Sequence, residues 1–448
     1  MPTPLYSFLT DFAKKNKTRF CMPSHKGKGI GSFLDDVFPY DITELPDSDN
    51  LYISNDVIGK AENLAAKAFF SKATCFCTTG ASSCVKAMLA LGSVKSKNII
   101  ADRFCHSSVI DAFALLDLKP KFLYNDYVDN FNIPIPPTKE QVERAIKSTK
   151  NPSCVFVTSP NYYGLMADIK GISEVCKKHN ILLLVDNSHG THLAFIDNGK
   201  EHPNSQGADI VCDSAHKTLP VLTGGAFLHI NCDITRQLSL LKLQMFSSTS
   251  PSYLIMASLD YAREYCEKNG QELYKRLFEN IEYLKKELSH LGYVYLDTKN
   301  CDNTRLTICT ANLGINGHKA YEYLYSQNIA CEMADQRNIV LIFSLLDKQS
   351  DLEKLILGLK SLKTISKKEN IINKSFSLIK PKRAMSIRKA LFSNSERTNI
   401  NSSKGRIIAQ NIIVYPPSVP IIIAGEIIDD NVIEILKREN ISEVFVTI

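Results

Sequence analysis

Long apolar runs are missing from this sequence. Nowhere in its 448 residues is there a stretch of about 18 apolar residues, so no membrane-spanning helix is expected. Cys-x-x-Cys pairs are missing as well. The chain has 13 cysteines, an odd number, scattered through apparent strands and helices with no Cys-x-x-Cys pair. Reduced thiols in a cytoplasmic protein are expected, and no metal site. The start, Met1-Pro2-Thr3-Pro4-Leu5-Tyr6, has neither a basic n-region nor a long apolar h-region, so no secretory signal is expected. An excess of one charge is also lacking: the formal charge of +6 is small for this length. Part of it collects at Lys367-Lys368 and Lys380-Pro381-Lys382-Arg383. These read as a solvated linker or helix face, which argues against a nucleic-acid partner. What remains, 44% hydrophobic and 22% charged residues, is the balance of a globular protein long enough for two or three domains.

From about residue 60, helix-like and strand-like segments alternate. The pattern predicts helices over Ala61–Phe70, Ser107–Leu116 and Ile169–His179. It predicts strands over Asn98–Ala101, Ser153–Thr158, Ile181–Asp186, Asp209–Ser214 and Ala226–Ile230. Short apolar runs between amphipathic helices argue for an α/β fold with a mostly parallel sheet. Functional residues then belong at the carboxyl ends of the strands. A long helix is expected over Ser252–Leu288, and a second, smaller domain follows with a helix at His318–Gln327. Beyond Leu362 the chain turns Lys-, Ser- and Asn-rich, and strand character returns at Arg406–Val414.

The stretch "DSAHKTLP", residues 213–220, sets Lys217 just past a buried-looking strand, between the hydroxyl residues Ser214 and Thr218. A lysine is ordinarily a surface residue. Kept from water, its amine becomes a nucleophile suited to Schiff-base chemistry. Asp186 closes the run Ile181-Leu182-Leu183-Leu184-Val185. It could cap the next helix, or hold a buried cation such as a protonated ring nitrogen. "TTGASSCVKAML", residues 78–89, leads from a strand into a helix. Gly80, Ala81, Ser82 and Ser83 could form an ordinary helix start or a phosphate cradle. His106, in "ADRFCHSSVIDAF", could likewise begin a helix or lie flat on an aromatic ligand. Taken together, a phosphate cradle, a stacking ring, an aspartate for a ring nitrogen and a lysine for an aldehyde are the groups that pyridoxal 5′-phosphate requires.

Several longer segments resemble the ornithine/lysine/arginine decarboxylases of the aspartate-aminotransferase fold, in the short form without an N-terminal wing domain. They are "TPLYSFLTDFAKKNKTRFCMPSHKGKG", "DITELPDSDNLY", "DRFCHSSV", "TSPNYYGLMADI", "LLLVDNSHGTHLAF", "ADIVCDSAHKTLPVLTGGAFLHI", "STSPSYLIMASLD" and "KGRIIAQNIIVYPPSVPIIIAGE". The resemblance implies the pyridoxal-phosphate-dependent transferase fold type I, a mostly parallel central sheet with helices on both faces and a smaller C-terminal α+β domain. It implies an N-terminal segment over 1–45, a cofactor-binding large domain over 46–290, and a small domain over 291–448 with a connector near 363–405.

The resemblance also assigns roles. Lys217 would form the Schiff base with the cofactor. His216 and Ser214 would lie against the phosphate, with Gly80, Ala81, Ser82 and Ser83 as its cradle. Asp186 would pair with the pyridine nitrogen, Ser188 would touch the ring and His106 would stack on it. Thr249 or Ser250 would reach a neighbouring subunit's site in a homodimer or larger assembly, and Glu426 would help bind a basic substrate. The chain departs from the family's usual residues at Ser24, Ala81, Asn187-Ser188, Ser418 and Ala424. The implied reaction is decarboxylation of arginine, lysine or ornithine to the corresponding amine, with Lys217 or His189 returning the proton to Cα. The rival readings are an aminotransferase or lyase of the same fold, with Arg305 or Arg337 as a carboxylate clamp, and a weakly active regulatory homologue that binds the cofactor.

Overall fold

The computed structural model describes residues 2–365, 380–414 and 419–448. Lys367-Lys368, the connector from 366 to 379, Pro416-Pro417 and Ser418 lie outside the described residues. The helices that matter below are α1 (Pro4–Lys14), α2 (Val57–Ala68), α3 (Ala81–Gly92), α4 (Ser107–Leu115), α5 (Lys139–Lys147), α6 (Ile169–Lys178), α7 (Ala215–Thr218), α8 (Arg236–Gln244) and α9 (Tyr253–His290). The strands are β1 (Ala73–Cys77), β2 (Asn98–Asp102), β3 (Lys119–Leu123), β4 (Cys154–Thr158), β5 (Leu182–Asp186), β6 (Ile210–Asp213), β7 (Ala226–Ile230), β8 (Arg305–Cys309) and β9 (Asn338–Ile342). The chain folds as two compact units, one of residues 1–94 and 169–273, the other of residues 95–168 and 274–448.

In the first unit, β1, β7, β6 and β5 lie side by side in that order. Their residues are almost all buried, which is why they read as unbroken apolar runs rather than alternating ones. β5 and β6 run parallel, with Asp186 opposite Cys212. The pairings β5–β6, β2–β3 and β2–β4 are parallel, as expected of a mostly parallel sheet; the exception is β7, which is antiparallel to both β1 and β6. The cause is the short link 214–225. It holds only the single turn α7 and Gly224-Gly225, too little chain for the helical crossover that a parallel neighbour needs. Cys77 pairs with Ala226 and Asp213 with Phe227. The carboxyl ends of β1, β5 and β6 therefore open at the same edge, next to the start of β7.

In the second unit, β2 lies between β3 and β4 and is parallel to both. α5 starts at a capping box, in which the Thr138 hydroxyl accepts the Gln141 N–H and the Gln141 side chain answers the Thr138 N–H. β8 and β9 pair antiparallel, Arg305 opposite Ile342. The C-terminal part has its own core of Ile400, Ile408, Ile412, Ile422, Ile428, Val432, Leu436, Val444 and Val446. The strand expected over Arg406–Val414 is regular only at Ile412–Val414. Ile407 and Ile408 instead form single bridges to two different partners, Ile427 and Val446, so no continuous ladder develops.

Candidate active site

The opening of the first unit is built from three turns. The first follows β1. Gly80 has φ 81°, in the left-handed region where a side chain is strained, and a β-carbon there would meet nothing within 4 Å. Its N–H donates to Gly224 O at 2.8 Å, which ties this turn to the one before β7. Gly80 is the N-cap of α3 and offers no side-chain cap, so the first N–H groups of a twelve-residue helix, at Ala81 and Ser82, have no acceptor among the described residues. Ser83 is turned elsewhere. It is buried, and its hydroxyl donates to Phe246 O at 2.9 Å and lies 2.9 Å from Thr79 Oγ1. Thr79 Oγ1 also lies 3.0 Å from Ser247 Oγ. Thr249 and Ser250, just beyond, are exposed.

The second turn follows β5. Asp186 is 3% exposed, and its Oδ1 accepts both the N–H and the hydroxyl of Ser188, at 3.1 and 2.5 Å. Among the described residues nothing donates to Oδ2. A buried carboxylate with one oxygen satisfied and one open is poised for a cationic partner. Ser188 thus acts on Asp186 as a positioning group.

The third turn is α7. Lys217 Nζ lies 3.1 Å from His189 Nε2. Two protonated nitrogens would repel at that distance, so one of them supplies the lone pair, and a proton can pass between the two. Beside Lys217 the Thr218 hydroxyl is buried with no partner. His216 Nδ1 lies 3.1 Å from Gly225 O, with Ser214 Oγ at 3.5 Å. Burial and, to a smaller degree, the charge of Lys217 push the His216 pKa down, while the Gly225 carbonyl pulls it up. The neutral ring donates Nδ1–H to Gly225 and leaves Nε2 as an acceptor.

Behind these turns lies a group that the sequence reading missed. Asp213 Oδ1 accepts from Asn187 Nδ2 at 2.7 Å, and Oδ2 faces His202 Nε2 at 3.0 Å and His229 Nε2 at 3.2 Å. Burial alone would raise the Asp213 pKa, but the two histidines hold it well below the ordinary carboxylate range.

His106 and Glu426 belong to the second unit. His106 caps α4, its Nδ1 accepting the Ser108 N–H at 3.1 Å, which is the helix-start arrangement weighed from sequence. Glu426 is 2% exposed. Its Oε2 accepts Ile423 N–H at 2.7 Å and pairs with Arg103 Nη2 at 3.4 Å, while nothing among the described residues donates to Oε1. Arg103 also donates to Pro420 O and Ile421 O, which fixes it. Burial raises the Glu426 pKa, and Arg103 and Arg383 oppose the shift. Arg305 and Arg337 are engaged too, donating to Tyr162 O and Asn130 O.

The architecture is that of the fold type I class, and these turns bring Lys217 and Asp186 together at neighbouring strand ends. Residues 3–310 match the family described as "Orn/Lys/Arg decarboxylase, major domain", and residues 368–442 match its C-terminal domain. The chain belongs to the Orn/Lys/Arg decarboxylase family and is a decarboxylase. It is 30% identical to an arginine decarboxylase of Bacillus subtilis, over 99% of this chain and 93% of that one. The lysine decarboxylase of Francisella novicida superposes with a TM-score of 0.85 at 18% identity, covering 99% of this chain and 80% of that one. A serine palmitoyltransferase of Sphingomonas wittichii shares the fold more distantly, with a TM-score of 0.58 at 15% identity over 79% of this chain and 82% of that one. None of the described helices is long and apolar enough to cross a membrane.

Proposed function

We propose that this protein decarboxylates a basic L-amino acid (arginine, lysine or ornithine) to its amine, with pyridoxal 5′-phosphate held at the opening of the first unit. The observation that carries this reading is the convergence at one sheet edge of Lys217 with His189, of Asp186 with an open oxygen, and of an uncapped helix start. These residues fit the cofactor. The N–H groups of Ala81 and Ser82, with Ser82, Ser214 and His216 around them, suit its phosphate, and the open space at Gly80 leaves room for it. Asp186 Oδ2 suits a protonated ring nitrogen, Ser188 holds that carboxylate, and Lys217 suits the aldehyde. When bound, the cofactor supplies an aldehyde for the substrate's amine and a ring that accepts the electron pair left by departing carbon dioxide. Asp186 would keep a proton on the ring nitrogen. His189, 3.1 Å from Lys217 Nζ, would hold or pass the proton that one of them returns to Cα.

The resemblance assigns His106 to the face of the ring and Glu426 to the cationic end of the substrate, and the open Oε1 of Glu426 is compatible with that role. A homodimer is part of the proposal. The segment after α1 exposes Phe20 (96%), Phe33 (89%) and Ile30 (75%), apolar surface that a second copy would cover, and Thr249 and Ser250 stand exposed for a partner's site. None of the 13 cysteines forms a disulfide among the described residues, which supports a reducing, cytoplasmic setting.

The test is to incubate purified protein with pyridoxal phosphate and each of the three amino acids, and to identify what is released. Carbon dioxide and the matching amine are expected from one of them. Borohydride should bleach the visible cofactor band and leave a pyridoxyl label on Lys217. A keto acid without carbon dioxide, or a label on another lysine, would overturn the reading.

A further inference from the structure

Asp213, His202 and His229 are each fully buried, and their side chains converge on one carboxylate oxygen. Two histidines and an aspartate at such distances resemble a metal triad. The hydrogen bonds argue otherwise. The Asn204 N–H points at His202 Nδ1 at 3.3 Å, so Nδ1 is an acceptor and the ring's proton sits on Nε2, directed at Asp213. A nitrogen that carries a proton has no lone pair for an ion. His229 Nδ1 lies 2.8 Å from the Thr74 hydroxyl, which can donate to it, and then Nε2–H points at Asp213 as well. With Asn187 Nδ2, three neutral N–H donors surround one anion.

Its location gives the cluster a purpose. Asn187 stands between Asp186 and Ser188, and its own N–H donates to Cys212 O at 2.8 Å. Asp213 precedes Ser214 and α7, the turn that carries His216 and Lys217. The bond from Asn187 to Asp213 therefore joins the turn bearing Asp186 to the turn bearing Lys217 by side chains, and His229 on β7 anchors the pair. The remaining Asn187 oxygen is buried without a partner among the described residues, so fold stability alone does not account for the amide. We propose that Asp213, with Asn187, His202 and His229, is a buried anion clamp that sets the spacing of Asp186 and Lys217 and thereby the affinity for pyridoxal phosphate. The inference rests on the cofactor reading above. All four are positioning residues.

The polarity of the clamp can be exchanged. In Asp213→Asn alone an amide would face an amide or the two imidazole N–H groups. In Asn187→Asp alone two carboxylates would face each other across the 2.7 Å contact. In the double variant Asn187→Asp/Asp213→Asn the oxygen of residue 213 still accepts from both histidines, and its amide donates to residue 187. Each single variant should raise the pyridoxal phosphate Kd about tenfold or more, and the double variant should return it to within about threefold of the parent. Asn187→Ala, which keeps Asp213 with both histidines, serves where a charged variant does not fold. In its cofactor-free form, hydrogen exchange should speed up at 187–190 and 214–218 more than in the rest of the unit. Unchanged Kd in the single variants, or a double variant no tighter than the singles, overturns the clamp while a pyridoxyl label on Lys217 of the parent upholds the cofactor reading. So does unchanged exchange at those two turns in Asn187→Ala. A parent protein that takes no label on Lys217 overturns both.

Discussion

Asp102 and Asp213 are each the last residue of a buried strand, one in each unit, and neither is more than 2% exposed. Their acidities nevertheless move in opposite directions. Burial pushes Asp102 up to about 7, with the Phe104 N–H at 2.9 Å, the Asn125 side chain and the charge of Arg103 opposing it less strongly. Asp213 is buried at least as deeply, yet two histidines hold it well below its ordinary range, and Asn187 adds a third donor. Burial therefore does not decide whether a strand-end carboxylate stays charged; the number of donors aimed at it does. Asp186 is served differently, with both of its donors on one oxygen and none among the described residues on the other. On this comparison a saturated carboxylate organises structure, a poorly served one is a proton store, and a half-served one is a binding group.

The largest effect should come from the half-served member. Asp186→Asn keeps the shape and a contact to Ser188 but removes the charge that would keep a ring nitrogen protonated. Turnover should fall by about 10²-fold or more, the scale of a lost catalytic electrostatic interaction, with the cofactor still bound. Near-normal turnover in a variant that retains the cofactor would reduce Asp186 to a turn-forming residue. The saturated member should instead show itself in stability. Asp213→Asn breaks a buried charge network, and a loss of ~3 kcal/mol in denaturant unfolding is expected. A loss below ~1 kcal/mol would mean that the three donors are no better placed than those around Asp102.

Asp186 and Lys217 stand out in the sequence because Asp186 closes an apolar run and Lys217 lies just past one, and buried strands announce themselves by such runs. Asp213 closes the same kind of run and was passed over. Its partners His202 and His229 lie 11 and 16 residues away, in a loop and on a strand, and only the antiparallel return of β7 brings them together. Strand direction leaves no mark on hydrophobic periodicity, so neither that return nor the cluster depending on it could be read. Ser83 misleads for a related reason. The sequence puts it in the first turn of α3, but whether its hydroxyl faces a phosphate or the Phe246 carbonyl depends on a distant segment. The helix boundaries, which rest on local pattern, shifted by only a few residues, as at Ile169–Lys178 against the expected Ile169–His179.

Glu426 extends the comparison to a carboxylate outside the strand ends. Like Asp186 it has donors on one oxygen and none among the described residues on the other. If the half-served pattern marks a binding group, Glu426→Gln should raise KM for the basic amino acid about tenfold, leaving kcat and the cofactor band unchanged, because the lost contact is made equally before and during the reaction. An unchanged KM would assign Glu426 to holding Arg103 in place. Arg103→Lys would then reproduce whatever loss of stability the glutamine causes.

The effect at Asp102 is read in pH rather than in turnover. Its folded pKa of about 7 stands above the ordinary 3.8, so the folded protein holds this proton more tightly than the unfolded chain does. Stability from this group is complete below pH 3.8 and is lost as pH rises toward 7, at a slope of at most ~1.4 kcal/mol per pH unit. Above pH 7 the charge is buried, and the Phe104 N–H, the Asn125 side chain and Arg103 offset only part of its penalty. Asp102→Asn keeps the shape and the Phe104 contact but cannot ionise. The variant should match the parent near pH 4 and exceed it in urea midpoint at pH 8, the gap opening between those values. A gap that instead closed as pH rose would give Asp102 the sign of Asp213, and donor number would no longer separate the two.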